Sequence, residues 1–314
     1  MVKVSLILPV YNVEEYLREC LDSCINQTLG QIEIICIDDG STDGSAKILA
    51  EYADSDKRIR IIAQPNSGLS AARNSGLRVA RGEWIMFLDT DDYLEPKACE
   101  RIYREATSSL CDIIVFGTNI FPIEPKPTKW HSSVLHIRGR RYPNATPDII
   151  FKEAGAKPFV WRQAFSAELL RTSGVMFDED VRYGEDIVFQ FKIFPHAKRV
   201  SFISDRLYNY RWYRQGSLMA SFGQDLSLKL ERHLALADII LGAWENMGLL
   251  EKYSLELLKW FCQFVLYDLV NSKIEGRAEF AKRARDIIRK YGLDRVSRKL
   301  IFRTAFLYWR FSRI

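Results

Sequence analysis

Acidic and polar residues gather at one kind of place in this chain. Asp89-Thr90-Asp91-Asp92 closes the apolar run 84–88, and Asp38-Asp39-Gly40-Ser41-Thr42-Asp43 closes the run 32–37. Pro9-Val10-Tyr11-Asn12 and Asn66-Ser67-Gly68 follow two further apolar stretches. An Asp-x-Asp-Asp cluster offers hard oxygen ligands suited to Mg²⁺ or Mn²⁺. Such a cation would bridge phosphates and stabilise charge on a leaving diphosphate. No G-x-G-x-x-G follows the first strand and no G-K-[ST] occurs, so the glycine-rich phosphate cradle is not available. Carboxylates with a cation are the alternative way to hold a diphosphate. Singly, each tip has a plain reading: Asp-Gly is a common turn, Asn-Ser-Gly a common loop, and acidic triplets are often only solvated. Four such tips in succession point to one site.

Those tips need a scaffold that brings strand ends together. Residues 2–8, 32–37, 58–63 and 83–89 read as strands, and 14–27, 47–52 and 70–80 as helix. In 14–27 the apolar residues Leu17, Cys20, Leu21, Cys24 and Ile25 recur at the offsets of an amphipathic helix. Continuous apolar strands alternating with helices predict an α/β, doubly wound, mostly parallel sheet, whose ligands bind at the carboxyl ends of the strands. Residues 96–109 read as helix, 112–120 as strand, 121–145 as a loop without structure, and 198–203 and 207–213 as two more strands. From 226 onward the pattern is helical, with a break near Gly292. The expected division is 1–120, 121–222 and a helical region 223–314.

With 314 residues, 47% hydrophobic and 27% charged, the chain is globular in composition, which excludes disordered and fibrous classes. No apolar run reaches the ~18 residues of a membrane span, and the N-terminal pattern is a strand with no signal-peptide features. A cytoplasmic protein is expected, and the six scattered cysteines are expected to be reduced core residues. The formal net charge is +5, but residues 271–314 carry thirteen Lys/Arg against four Asp/Glu. A basic tail on a slightly acidic body suggests an anionic surface as partner.

The strings SLILPVYNVEEYLRECLDSCINQTLGQIEIICIDDGSTDGS, NSGLSAARNSGL and WIMFLDTDDYLEP, in that order, resemble the family 2 glycosyltransferases with the GT-A fold. The resemblance is strong over residues 2–120, weaker to about 220, and absent from the helical tail. It implies a metal-dependent, inverting transfer of a sugar from a nucleotide sugar, UDP-linked by expectation, to a saccharide or lipid-linked saccharide hydroxyl. It also implies roles. Pro9, Tyr11 and Glu14 would pack around the donor base and ribose, with Tyr11 stacking on the base unless it is a plain core aromatic. Asp39 would accept a hydrogen bond from uracil, and Asn66 and Arg73 would line the nucleotide and its phosphates. Asp89 and Asp91 form the D-x-D pair, with Asp91 the direct metal ligand and Asp92 beside it on metal, water or sugar. In the Glu185-Asp186-x-x-Phe189 motif Asp186 would be the general base and Glu185 would orient it or touch acceptor. The alternative for Asp186 is a helix N-cap. Arg211, Arg214 and Ser217 would close over the diphosphate. Some relatives place a histidine metal ligand here; this sequence has none at that position. Trp161 is either an acceptor platform or core.

In the tail, Arg295, Lys299, Arg303 and Arg310 would form one helical stripe beside Leu300, Ile301, Phe302, Phe306, Leu307, Tyr308, Trp309 and Phe311, a pattern of interfacial helices. A peripheral position at an anionic membrane is one expectation; docking on the protein or on a second copy as a homodimer is the other. Nucleic acid is not an expected partner, since no binding module is present. Two other function classes remain: a catalytically silent nucleotide-sugar-binding module, and a nucleotidyltransferase, which would need a basic glycine-rich loop where PVYNVEE stands.

Overall fold

The computed structural model describes residues 1–122, 134–156, 158–212 and 225–314. They fall into two compact units, drawn from residues 1–213 and 214–314. In the first unit β1 (Val4–Val10), β2 (Ile32–Asp38), β3 (Ile59–Ala63) and β4 (Trp84–Phe87) pair in parallel in the order β3-β2-β1-β4. Val10 lies level with Asp38, and Asp38 with Ala63, so the polar tips of these strands share one edge. Every residue of β1 and β2 is buried, which is why their sequences run apolar without alternation.

Helices α1 (Glu14–Ile25), α2 (Ser45–Ser55) and α3 (Leu69–Val79) connect these strands. Glu14 and Glu15 sit in the first turn of α1, where the helix dipole favours negative charge. Its buried stripe is Leu17, Cys20, Leu21 and Cys24, and each large aliphatic side chain so buried contributes about 1.5–3 kcal/mol. At Gly76 of α3 a side chain would run into Ile7 of β1, so the glycine lets helix and strand lie close.

Beyond β4 the sheet turns mixed. β4 pairs antiparallel with β8 (Gln163–Ser166), and β8 antiparallel with β6 (Ile113–Phe121). β6 then pairs in parallel with β9 (Val200–Arg211), while β5 (Tyr93–Leu94) and β7 (Arg140–Tyr142) pair antiparallel with β9. Because β6 spans residue 120, both expected halves of the transferase region share one sheet. Helices α4 (Ala98–Ser109), α5 (Ile149–Lys152), α6 (Ala167–Ser173) and α7 (Glu185–Ile193) flank it. The two strands expected over 198–213 are one, β9, with register shifts opposite residues 116–118. The stretch expected to be a loop contains β7, and residues 123–133 of it lie outside the described residues.

In the second unit Asp225 caps α8 (Leu226–Asn246) by accepting from the N–H groups of Ser227 and Leu228. α9 (Ser254–Phe261) passes through a π turn, Cys262–Leu266, into α10 (Tyr267–Asn271). α11 (Arg277–Lys290) is tied to α8 by the ion pairs Arg283–Glu231 and Lys290–Asp238. Gly292, at φ 64°, then opens a 3₁₀ segment, Leu293–Lys299, and extended residues Leu300 and Ile301 lead into α12 (Phe302–Phe311). The expected single stripe is therefore broken: Arg295 and Lys299 do not share a helix with Arg303 and Arg310. All six cysteines are buried and free, as expected.

Candidate active site

The loops at the shared strand edge are built by carboxylates that accept backbone N–H groups. Helix α1 has no cap of its own. The N–H of Glu14 donates instead to Asp43, that of Val13 to the Ser45 hydroxyl, and Glu14 accepts from the N–H of Gly44 at 2.6 Å. Glu14 therefore knits two loops together, and Tyr11 stands beside it 48% exposed, so the core reading of Tyr11 fails. Pro9 is buried within β1 and its carbonyl accepts from the Thr90 hydroxyl at 3.0 Å, joining the first tip to the fourth. Asp39 is 3% exposed and accepts from the Gln64 side chain at 2.8 Å and from the N–H groups of Ser67 and Gly68 at 2.9 and 2.8 Å. It organises the 64–68 loop, and one of its roughly four lone-pair positions is left for a further donor. Asn66 is exposed on that loop, where Gly40, at φ 75°, lets the second tip approach its backbone.

The Asp89–Asp92 turn is fixed from beneath. Asp92, 2% exposed, accepts from the Tyr208 hydroxyl at 2.7 Å and from the N–H of Arg211 at 2.6 Å. Burial, with Asp91 and Asp89 nearby, pushes its carboxyl well above the usual range. The role of Asp92 as a metal ligand does not fit this geometry, because both oxygens are turned into the protein. The Arg211 guanidinium donates to the Asp91 carbonyl at 2.8 Å, pairs with Glu19 at 2.5 Å and lies over the rings of Tyr16 and Phe121. It braces the turn rather than pointing into open space for a diphosphate. Arg214 and Ser217 lie outside the described residues. Asp89 and Asp91 are half-buried. Among the described residues no group of three or more His, Cys, Asp or Glu is arranged to hold a metal on its own. Two carboxylates completed by substrate phosphates and water are the donor set Mg²⁺ commonly takes, so Asp89 and Asp91 fit a divalent cation of that kind.

Arg73 joins this turn to the carboxylates of α7. It is 2% exposed, and its guanidinium donates to Asp89 at 2.9 Å and to Glu185 at 2.8 Å. Arg73 is thus a buried bridge between carboxylates and not an open phosphate ligand. Glu185 is pushed up to about 7 by burial, with Arg73 opposing and Asp186 adding to the shift. Asp186 is also raised by burial, against hydrogen bonds from the N–H groups of Phe159 at 2.8 Å and Ile187 at 2.7 Å. Gly184, not Asp186, occupies the cap position of α7. Phe159 adopts φ 76°, a strained conformation for a residue with a side chain, and Asp186 is what receives its N–H.

Several contributors escaped the sequence reading. Asn74 exchanges hydrogen bonds with the backbone of Phe177, both 2.9 Å, and donates to Glu179, anchoring the segment that leads to α7. Its position one residue after Arg73 on α3 was the available signal. Tyr208 bonds both Asp92 and the N–H of Asp89, and stacks on Trp161 at 4.4 Å. Trp161 is buried among Phe159, Tyr208 and Tyr210, which answers its alternative in favour of core. Arg182 lies against Gly68, whose φ of 92° is a conformation that favours glycine.

Residues 5–167 match the description of glycosyl transferase family 2. The chain is 39% identical over 212 residues to the uncharacterized glycosyltransferase EpsJ of Bacillus subtilis, covering 66% of this chain and 60% of that protein. It is 34% identical over 258 residues to the putative glycosyltransferase EpsH of the same organism, covering 81% of this chain and 72% of that one. In structure it resembles S. aureus TarS 1–349 in complex with UDP-GlcNAc, with a TM-score of 0.75 at 22% identity over 98% of this chain and 87% of that one. The fold is therefore the GT-A fold that the family resemblance implies, and the chain belongs to glycosyl transferase family 2.

Proposed function

We propose that the protein is an inverting glycosyltransferase that moves a sugar from a UDP-sugar to a hydroxyl of a saccharide or lipid-linked saccharide. The observation that carries this reading is the Arg73 bridge. One guanidinium spans the Asp89 carboxylate of the D-x-D turn and Glu185 beside Asp186. A leaving-group site and a base within one side chain's reach suit a single in-line displacement, where nearness of the reacting atoms supplies much of the rate. In that displacement the acceptor oxygen bonds to the anomeric carbon as the bond from that carbon to the diphosphate oxygen breaks. Asp186 takes the hydroxyl proton, and burial, by raising its pKa, makes it the stronger base. Glu185 orients the acceptor, while Tyr11, Glu14, Asp39 and Asn66 frame the base and ribose. A divalent cation on Asp91 and Asp89 would stabilise negative charge on the departing diphosphate. Strands within 1–120 would serve the donor, and segments within 121–222 the acceptor.

The test is calorimetric titration with UDP, GDP, CDP and dTDP, with and without Mn²⁺, followed by turnover of UDP-sugars. Metal-dependent UDP binding that vanishes in Asp91→Ala is the expected result. Preference for another nucleotide would remove the uracil role of Asp39, and pyrophosphate release from a nucleoside triphosphate would replace sugar transfer with nucleotidyl transfer.

A further inference from the structure

Large apolar side chains exposed to solvent concentrate in one short stretch of the second unit. Ile301 is 56% exposed, Phe302 88%, Phe306 55% and Trp309 48%. Phe302, Phe306 and Trp309 recur at offsets of four and three and so share one face of α12. Thr304, Leu307 and Phe311 occupy the buried face. The helix is therefore packed on one side and still aromatic on another, where a surface helix ordinarily turns polar.

Guanidinium groups flank these rings. Arg313 lies over Trp309 at 3.9 Å, Arg310 over Phe306 at 5.8 Å and Arg303 over Tyr267 of α10 at 4.9 Å. Tyr267 is itself 42% exposed and extends the aromatic surface onto a second helix. Arg310 is held further by bonds to Asn271 and to the carbonyl of Val270, at 2.8 and 3.1 Å. Residues 295–314 contain six Lys/Arg and no Asp or Glu. The stretch thus carries no countercharge in its own sequence.

We propose that α12, with Tyr267, docks on an anionic lipid bilayer. Such a surface supplies both things this face calls for: an apolar layer for Phe302, Phe306 and Trp309, and phosphates for Arg303, Arg310 and Arg313. Trp and Tyr are also the side chains that settle at a membrane–water boundary. A second copy of the chain would bring the same uncompensated positive charge face to face, a juxtaposition that disfavours pairing. The inference is independent of the transferase chemistry, since none of these residues belongs to the proposed active site.

The test is co-sedimentation of the full chain with vesicles of phosphatidylcholine alone and of equal parts phosphatidylcholine and phosphatidylglycerol, at low and high salt. Binding is expected only to the phosphatidylglycerol vesicles, weakening as salt screens the arginines. Arg313→Gln is expected to lower partitioning roughly fivefold, and Phe306→Ser about tenfold. Both side chains reach solvent, so circular dichroism and melting should be unchanged. Quenching by bromine-labelled acyl chains should fall in Trp309→Phe. Absence of binding at low salt, or equal binding to both vesicles, would overturn the proposal. So would a dimer in sedimentation velocity that Phe306→Ser dissolves while vesicle binding stays the same; that result would assign the face to a second copy.

Discussion

Asp43, at the second strand tip, and the Glu185–Asp186 pair, at the start of α7, are the same chemical group shifted in opposite directions. At the tips, carboxylates serve as acceptors that fix loops. Asp38 receives the N–H of Ser41, Asp39 receives three donors, and Asp43 receives Glu14 and Ser45. Burial opposes ionisation of Asp43, but its hydrogen bonds outweigh that and hold the carboxyl below its ordinary value. At α7, burial wins, and Glu185 and Asp186 both rise. N–H donors reach the carboxylates in both places, but at α7 deeper burial, with a neighbouring carboxylate, outweighs them. On the proposed function, the lowered Asp43 would suit a rigid donor cradle, and the raised pair at α7 a site that takes a proton from a substrate.

This contrast makes Asp186 the most sensitive position. Asp186→Asn should lower kcat by about 10²–10⁴ while UDP binding persists, read in a transfer assay beside calorimetry. Next comes Arg73, which couples the two regions. Arg73→Ala leaves Asp89 and Glu185 without their shared cation and should cost about 3–5 kcal/mol in a denaturant melt. An arginine serving only phosphate would leave stability untouched, and Arg73→Lys should not restore it, because an ammonium cannot span two carboxylates as a planar fork does. Asp39→Asn should lose about 1–3 kcal/mol by stranding one loop N–H, with weaker UDP binding.

The pH dependence is smaller and opposite in sign for Glu185 and Asp43. Glu185 is raised in the folded state, from 4.5 to about 7, so its protonated form is favoured by folding. Its contribution is present below pH 4.5 and lost as pH rises toward about 7, and Glu185→Gln should flatten that stretch of the melting profile. Asp43 is lowered, so its contribution is lost as pH falls. The smallest structural effect belongs to Tyr11→Ala, which should leave melting unchanged and weaken UDP by ~1–3 kcal/mol if the ring stacks on the base. Unchanged affinity would remove Tyr11 from the donor site.

The parallel half of the sheet was legible because β1, β2 and β4 are buried on both faces and the strand tips carry turn chemistry. β8 was not: four residues, Gln163–Ser166, are too few to display a period, yet they insert antiparallel between β4 and β6. Types and spacing picked out Asp89 and Asp91, and the family resemblance pointed to Glu185 and Asp186. They did not reveal that Arg73 and Arg211 are committed to carboxylates of the protein itself, or that Asp92 faces inward, because these pairings, Arg73–Asp89 apart, cross more than a hundred residues and leave no local pattern. The tail pattern was misleading for a related reason. A helical offset continues on paper through Gly292 and Ile301, whereas the backbone changes conformation at both.

Phe159 gives the proposed reaction a sense of time. Its left-handed backbone is restrained through a hydrogen bond to Asp186 at 2.8 Å, and its ring lies on Trp161 at 5.0 Å. A carboxylate that has just captured a proton is a poorer acceptor than the anion it replaces. On this mechanism the bond that restrains Phe159 therefore weakens at the moment the new glycosidic bond forms. The segment would relax only after chemistry and be drawn back once Asp186 gives up its proton, so a single carboxylate would act as both base and latch.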